Sequence, residues 1–196
     1  MNQKTLHIIL LGAPGCGKGS LSDRLEANYR VHHFSTGDML RKAVRKETPL
    51  GIKAAALIDQ GKLVGDDIIL GLMREKLERA RKKDDGFEMA LNIYDGFPRT
   101  VSQALALDQL LAETGEQVSA VICMDCPEEV IARRTSNRVV CRNCSFIGSM
   151  PHIEEAEDGR MHCPHCGGIL YQRKDDRPEV FKSRMEAYYR QTEPLR

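Results

Sequence analysis

Leu6-His-Ile-Ile-Leu-Leu-Gly-Ala-Pro-Gly-Cys-Gly-Lys-Gly-Ser20 is the stretch that decides the fold. Its first six residues form a short apolar run closing on glycine, which predicts a buried strand. A glycine-rich turn follows. Gly19 to Tyr29 then carries Leu21 and Leu25 at i, i+4, which predicts a helix. Strand, turn and helix in this order aim backbone N–H groups and a helix N-terminus at one point, which makes a cradle for an anion. Lys18 adds a point charge where the outer phosphates of a nucleotide would lie. The general pattern has Ser or Thr directly after the lysine; here Gly19 intervenes and the hydroxyl comes at Ser20. Cys16 reads as a small filler inside the loop.

Outward from this loop, strands and helices alternate. Val31 to Phe34, Ala90 to Tyr94 and Ser119 to Met124 read as further strands. Ser35-Thr-Gly-Asp38 supplies capping chemistry for a helix to about Lys46. Pro49 opens another helix through Ile52, Ala55, Ala56 and Leu57, stopping near Gly61. Asp66-Asp67 starts a longer one with Ile69, Met73 and Leu77 on one face. Four strands alternating with helices predict an α/β fold, a parallel sheet flanked by crossover helices. The alternation breaks between about Asn137 and Arg173, and a helix resumes from about Pro178 to Tyr189. The broken stretch therefore reads as an insert on the sheet.

That insert holds Cys141, Cys144, Cys163 and Cys166, two Cys-x-x-Cys pairs separated by 18 residues, 145–162. The spacing predicts a tetrahedral zinc site. Four thiolates leave no position open for water, so the metal is expected to be structural. His152, His162 and His165 are substitute ligands, and the four cysteines are the preferred set. The metal is expected to hold together a segment with no hydrophobic core of its own. Cys123-Met-Asp-Cys126 has no free matching pair, and its thiols read as buried strand cysteines.

The chain has 196 residues, with 29 Lys and Arg against 28 Asp and Glu. There is no global basic field of the kind a nucleic-acid coat requires, so any anion site must be built from locally clustered arginines. Aromatic residues make up only 5% of the chain and the insert contains the acidic run 154–158, which disfavours a zinc-ribbon NTPase that binds nucleic acid. No apolar run approaches the length of about 18 residues that a membrane helix requires. The polar start reads as no signal peptide, and seven cysteines with an odd count fit a reducing compartment. The expected location is the cytoplasm.

Gly12-x-Pro-Gly-x-Gly-Lys-Gly19, Ser35-Thr-Gly-Asp-Met-Leu-Arg41, Gly61-Lys-Leu-Val64 and Asp95-Gly-Phe-Pro-Arg-Thr100 occur in that order. Arg134-x-x-x-Arg138 and Arg173-Lys-Asp-Asp176 with Arg184 follow. Together these motifs resemble the adenylate kinases, nucleoside monophosphate kinases that convert ATP and AMP into two ADP. The resemblance covers essentially the whole chain, and the insert looks like the zinc-bearing lid of many bacterial members. Val139 departs from the pattern, standing where an arginine is usual.

The resemblance implies a P-loop core at 1–34, 65–136 and 177–196, an AMP-binding segment at 35–64 and a lid at 137–176. It implies that Gly15, Cys16, Gly17, Lys18, Gly19 and Ser20 cradle the ATP phosphates. Thr36, Arg41, Ile58, Lys62, Leu63, Val64, Gly96, Phe97, Pro98, Arg99 and Gln103 would form the AMP pocket. Arg134 and Arg138 would hold the ATP side, Arg173 and Arg184 would bridge the phosphates, and Asp95 would orient water around Mg²⁺. Thr36 and Gln103 favour AMP over UMP, CMP or GMP as acceptor.

The catalytic set is then Lys18, Asp95, Arg99, Arg138, Arg173 and Arg184. The expected partners are ATP with Mg²⁺ and AMP, with no nucleic acid or membrane, and the expected state is a monomer. Members of the family usually continue past Thr192-x-Pro-Leu195 into another strand and a final helix. Without these, four strands and a weakened ATP site or reduced stability are expected.

Overall fold

The computed structural model describes residues 4–60, 62, 64–82, 89–144, 146–153, 155, 156 and 158–196. β1 (Lys4–Gly12) lies inside a four-stranded sheet with β2 (Val31–Ser35), β3 (Met89–Asp95) and β4 (Val118–Met124), in the order β2-β3-β1-β4. All three pairings are parallel, with Ile8 opposite Ile93 and Leu10 opposite Ile122. β1 carries four successive apolar residues, Ile8, Ile9, Leu10 and Leu11, because both its faces are covered. Ile9 joins Phe34 and Tyr94 on one side, and Leu10 joins Leu91 and Ile93 on the other.

Helices supply the crossovers that parallel pairing requires. α1 (Lys18–Glu26) ends earlier than the expected Tyr29, because Asn28 Nδ2 turns back to Arg24 O at 2.8 Å and competes with the helical ladder. Ser35 caps α2 (Thr36–Arg45) by accepting the Asp38 N–H, and Thr48 caps α3 (Pro49–Asp59) by accepting the Gly51 N–H. α2 and α3 approach closely at Gly51, where a Cβ would lie 2.1 Å from Ala43 O. The buried face of α3 is therefore Gly51 and Ala54. Ile52, expected among its apolar residues, is 66% exposed.

α4 (Asp66–Lys82) buries Ile69, Met73 and Leu77 as its period predicts, with acids in its first turn and bases in its last. α5 (Val101–Ala112) packs Leu107 and Leu111 into the same core. α6 (Glu128–Ser136) and α7 (Pro178–Ala187) lie against each other near the glycine turn.

The cysteine segment forms a separate antiparallel sheet. β5 (Arg138–Cys141) lies between β6 (Ile147–Ser149) and β7 (Leu170–Tyr171). Contrary to expectation it has an apolar core: Val139, Cys141, Cys163 and Leu170, with Phe146, Met150, Ile153 and Met161 against them. These residues lie far apart along the sequence, from Val139 to Leu170, and only the antiparallel pairing gathers them. The Cys123 thiol is also not buried. β4 is the outer strand of its sheet, so Cys123 is exposed and Cys126 half-buried. Among the described residues no helix is long and apolar enough to cross a membrane.

Candidate active site

β1 delivers the glycine-rich turn to the C-terminal edge of the parallel sheet, where α1 begins. Gly15 has φ 88° and Gly17, which precedes α1, has φ 113°. A Cβ at Gly15 would also stand 2.5 Å from Thr135 Oγ1, so conformation and space both require glycine. Lys18 bends back over the turn and donates to Gly12 O at 2.8 Å and Ala13 O at 2.9 Å. Burial lowers the pKa of its ammonium, partly offset by Cys16 and Asp95. Cys16 points inward among Ala13, Ile131, Met185 and Tyr188, as a filler residue should.

A cleft of about 710 Å³ opens above this turn. Seven arginines line its walls: exposed Arg24 from α1, and the six expected ones, Arg41 from α2, Arg99 after β3, Arg134 from α6, Arg138 at the start of β5, Arg173 after β7 and Arg184 from α7. Burial, reinforced by Arg184, lowers Arg99 to about 10. Burial, then Arg41 and Arg138, does the same to Arg173. Both stay protonated at neutral pH.

Three carboxylates, Asp38, Asp175 and Asp176, hold Arg41, Arg138, Arg173 and Arg184 in place. Arg41 pairs with Asp38 at 2.6 Å and lies 3.6 Å from Asp175. Arg138 Nε donates to Asp176 at 2.8 Å, and Arg184 lies 3.2 Å from both Asp175 and Asp176. Partial desolvation in the cleft works against the Asp38 charge, but Arg41 overrides it and holds the carboxyl at about 2. Burial likewise opposes the Asp95 charge, while His33, 3.5 Å away, and Lys18 keep it below the usual carboxylate range. Lys18 and seven arginines against Asp38, Asp95, Asp175 and Asp176 leave a surplus of four positive charges. Such a surplus in a partly dry cleft suits a polyphosphate.

A smaller cavity of about 70 Å³ adjoins the cleft, and Arg41, Gly96, Arg99 and Arg184 line both. Thr36 Oγ1 donates to Gly96 O at 2.8 Å, and Arg99 Nε donates to the same oxygen at 2.7 Å. Of the expected binding residues, Gly15, Gly17, Lys18, Gly19, Ser20 and Pro98 line the large cleft. Thr36, Ile58, Lys62, Val64 and Gln103 line the small cavity. Phe97 lines neither and is fully buried with Phe34 and Tyr94. Leu63 lies outside the described residues.

Sequence reasoning counted the cations and Asp95 but passed over Asp38, Asp175 and Asp176 as their partners. Asp38 and Asp176 sit inside the quoted motifs, and their adjacency to arginine was the available signal. It also passed over Asp66, which accepts the Gln103 amide N–H at 2.7 Å.

At the far end of β5 the four expected thiols meet. Cys141 and Cys166 Sγ are 3.5 Å apart, as are Cys144 and Cys163, and all four lie within 4.8 Å of one another. Zinc–sulfur bonds of about 2.3 Å imply tetrahedral edges of about 3.8 Å, so the donor set fits that ion. The backbone N–H groups of Cys144 and Asn143 point at Cys141 Sγ and bring that thiol down to about 6. Two of the substitute ligands are otherwise engaged: His162 bonds Asp158 and Gly167 O, and His165 packs at a tilt against Phe146. Among the described residues no other metal-sized cluster includes Cys123 or Cys126.

A family model described as adenylate kinase matches residues 10–196. The chain is 42% identical over 190 residues to an adenylate kinase of Caldicellulosiruptor bescii, covering 97% of this chain and 85% of the relative. It is 42% identical to an adenylate kinase of Archaeoglobus fulgidus, covering 97% and 84%. Against an adenylate kinase of a Geobacillus species it is 39% identical over 193 residues, covering 97% and 84%. The glycine turn, the arginine-lined cleft and these matches along nearly the whole chain lead to one conclusion: the chain belongs to the adenylate kinase family.

Proposed function

We propose that this protein transfers the terminal phosphoryl group of ATP to AMP, giving two ADP. The observation that carries this reading is the convergence of seven arginines and Lys18 on one cleft that continues into a second, smaller cavity. Two nucleotides bring roughly six negative charges together, because a second phosphate pKa lies near ~6. The acceptor's phosphate oxygen is already ionised at neutral pH, so the reaction needs no general base. The work left to the protein is alignment and stabilisation of charge.

In this reading the turn from Gly15 to Ser20 holds the ATP phosphates, with Lys18 released from Gly12 O and Ala13 O to meet them. Arg134 and Arg138 hold the donor. Arg41 and Arg99 hold the acceptor phosphate, and Arg173 and Arg184 span the transferred group. Aspartate partners keep Arg41, Arg138, Arg173 and Arg184 positioned until phosphate oxygens replace the carboxylates. Asp95, kept ionised, and the Ser20 hydroxyl offer the hard oxygen donors that Mg²⁺ prefers. When bound with ATP, Mg²⁺ supplies further neutralisation of the phosphate oxygens.

The division into a core (1–34, 65–136, 177–196), an acceptor segment (35–64) and a lid (137–176) follows from this reading. The Cys141, Cys144, Cys163 and Cys166 set binds zinc as a structural ion, and the lid closes over ATP to exclude water. The protein acts as a cytoplasmic monomer without nucleic acid. Thr36 and Gln103 make AMP the preferred acceptor. Rates with ATP and each of AMP, UMP, CMP and GMP test this: AMP should lead, and a faster rate with UMP or CMP would overturn the base assignment.

A further inference from the structure

We propose that Asp66 is the positioning residue that sets base selectivity, by fixing the direction of the Gln103 amide. The proposal rests on the assignment of the smaller cavity to the acceptor base. Gln103 is 2% exposed and lines that cavity. Its Oε1 accepts the Arg99 N–H at 2.8 Å, and its Nε2 donates to Asp66 Oδ1 at 2.7 Å. The second Asp66 oxygen accepts the Ser102 hydroxyl at 2.6 Å. Asp66 is the first residue of α4, which is anchored by Ile69, Met73 and Leu77.

These contacts permit only one direction for the amide. Turned by half a revolution, Oε1 would face a carboxylate and Nε2 would face an N–H donor, two repulsive contacts in a buried place. The fixed amide retains one N–H and one lone pair for a ligand. Adenine presents an acceptor, N1, beside a donor, N6. Hypoxanthine presents the same two positions with donor and acceptor exchanged. A freely turning amide satisfies both bases, whereas a fixed one satisfies one of them. The Arg99 N–H alone holds only the oxygen end. Without Asp66, the buried Nε2 has lost its partner and the amide gains freedom to turn or to admit water.

The test compares AMP with IMP as acceptor, with ATP as donor, in wild type, Asp66→Ala, Asp66→Asn and Gln103→Ala. Asp66→Ala should lower the AMP-to-IMP ratio of kcat/KM by about tenfold, the factor equivalent to one modest hydrogen bond, through KM for AMP. KM for ATP should not move. Asp66→Asn, whose amide oxygen can still accept from Gln103, should restore most of the ratio, which a role in folding alone would not predict. A wild-type ratio in Asp66→Ala, with Gln103→Ala impaired for AMP, overturns the inference and leaves the pocket assignment standing. An unimpaired Gln103→Ala removes the pocket assignment as well. Should Asp66→Ala not fold, Ser102→Ala withdraws one of the Asp66 hydrogen bonds at an exposed site. A reduced ratio there supports the inference and an unchanged one counts against it.

Discussion

Removing the metal from the cysteine cluster should unfold residues 137–176 while the parallel sheet stays folded. The segment's own resources are small. β5 is held to β6 by three residue pairs and to β7 by two, too little pairing to be stable alone. Its buried aliphatic side chains are Val139, Val140 and Leu170, worth about 1.5–3 kcal/mol each. A structural zinc site contributes roughly 10–16 kcal/mol. The metal therefore outweighs these side chains about twofold, even though that core is present. The ligands also sit where they matter, with Cys141 ending β5 and Cys163 close before β7.

The assay is limited proteolysis with and without a strong chelator, with metal content and ADP formation measured on the same samples. The chelated protein should be cut within 142–170 and lose its activity by at least about a hundredfold, because Arg138 and Arg173 leave the cleft together and each such group is worth roughly that factor. An unchanged cleavage pattern and rate after verified metal loss would refute the reasoning.

Arg99→Ala removes one of the three arginines that line both cavities and should cut kcat by roughly 10²–10³, read by steady-state kinetics; a wild-type rate would contradict its assigned place. Asp38 is lowered from 3.8 to about 2, so the folded form resists protonation more than the unfolded chain. Its contribution to stability is complete above pH 3.8 and fades as the pH falls through about 2. Urea midpoints across that range should fall less steeply in Asp38→Asn than in wild type. Cys123, exposed on β4, should react with a thiol reagent in the native protein while Cys16 stays protected, as peptide mass analysis would reveal; the reverse order would contradict the burial described.

The sheet was legible because its signals are local and mutually consistent. The apolar run before Gly12, the Ile69-Met73-Leu77 face and the Ser35 cap each impose one structure on their neighbours. The glycine turn was legible for the same reason, since positive φ at Gly15 and Gly17 is written into residue type. Less legible was whatever depends on distant partners. Nothing within β4 marks it as the outer strand, so the exposure of Cys123 was missed. The core around Val139 and Leu170 exists only once three short strands pair. The arginines were visible singly, but the aspartates that hold them, and the hold of Asp66 on Gln103, arise from residues brought together across the fold.

The most direct test of the central claim is the product balance with Mg²⁺ and ATP, with and without AMP. The account predicts two ADP for each ATP and AMP consumed, and little ATP loss when AMP is omitted. ATP breakdown to ADP and phosphate at the same rate without AMP would contradict it.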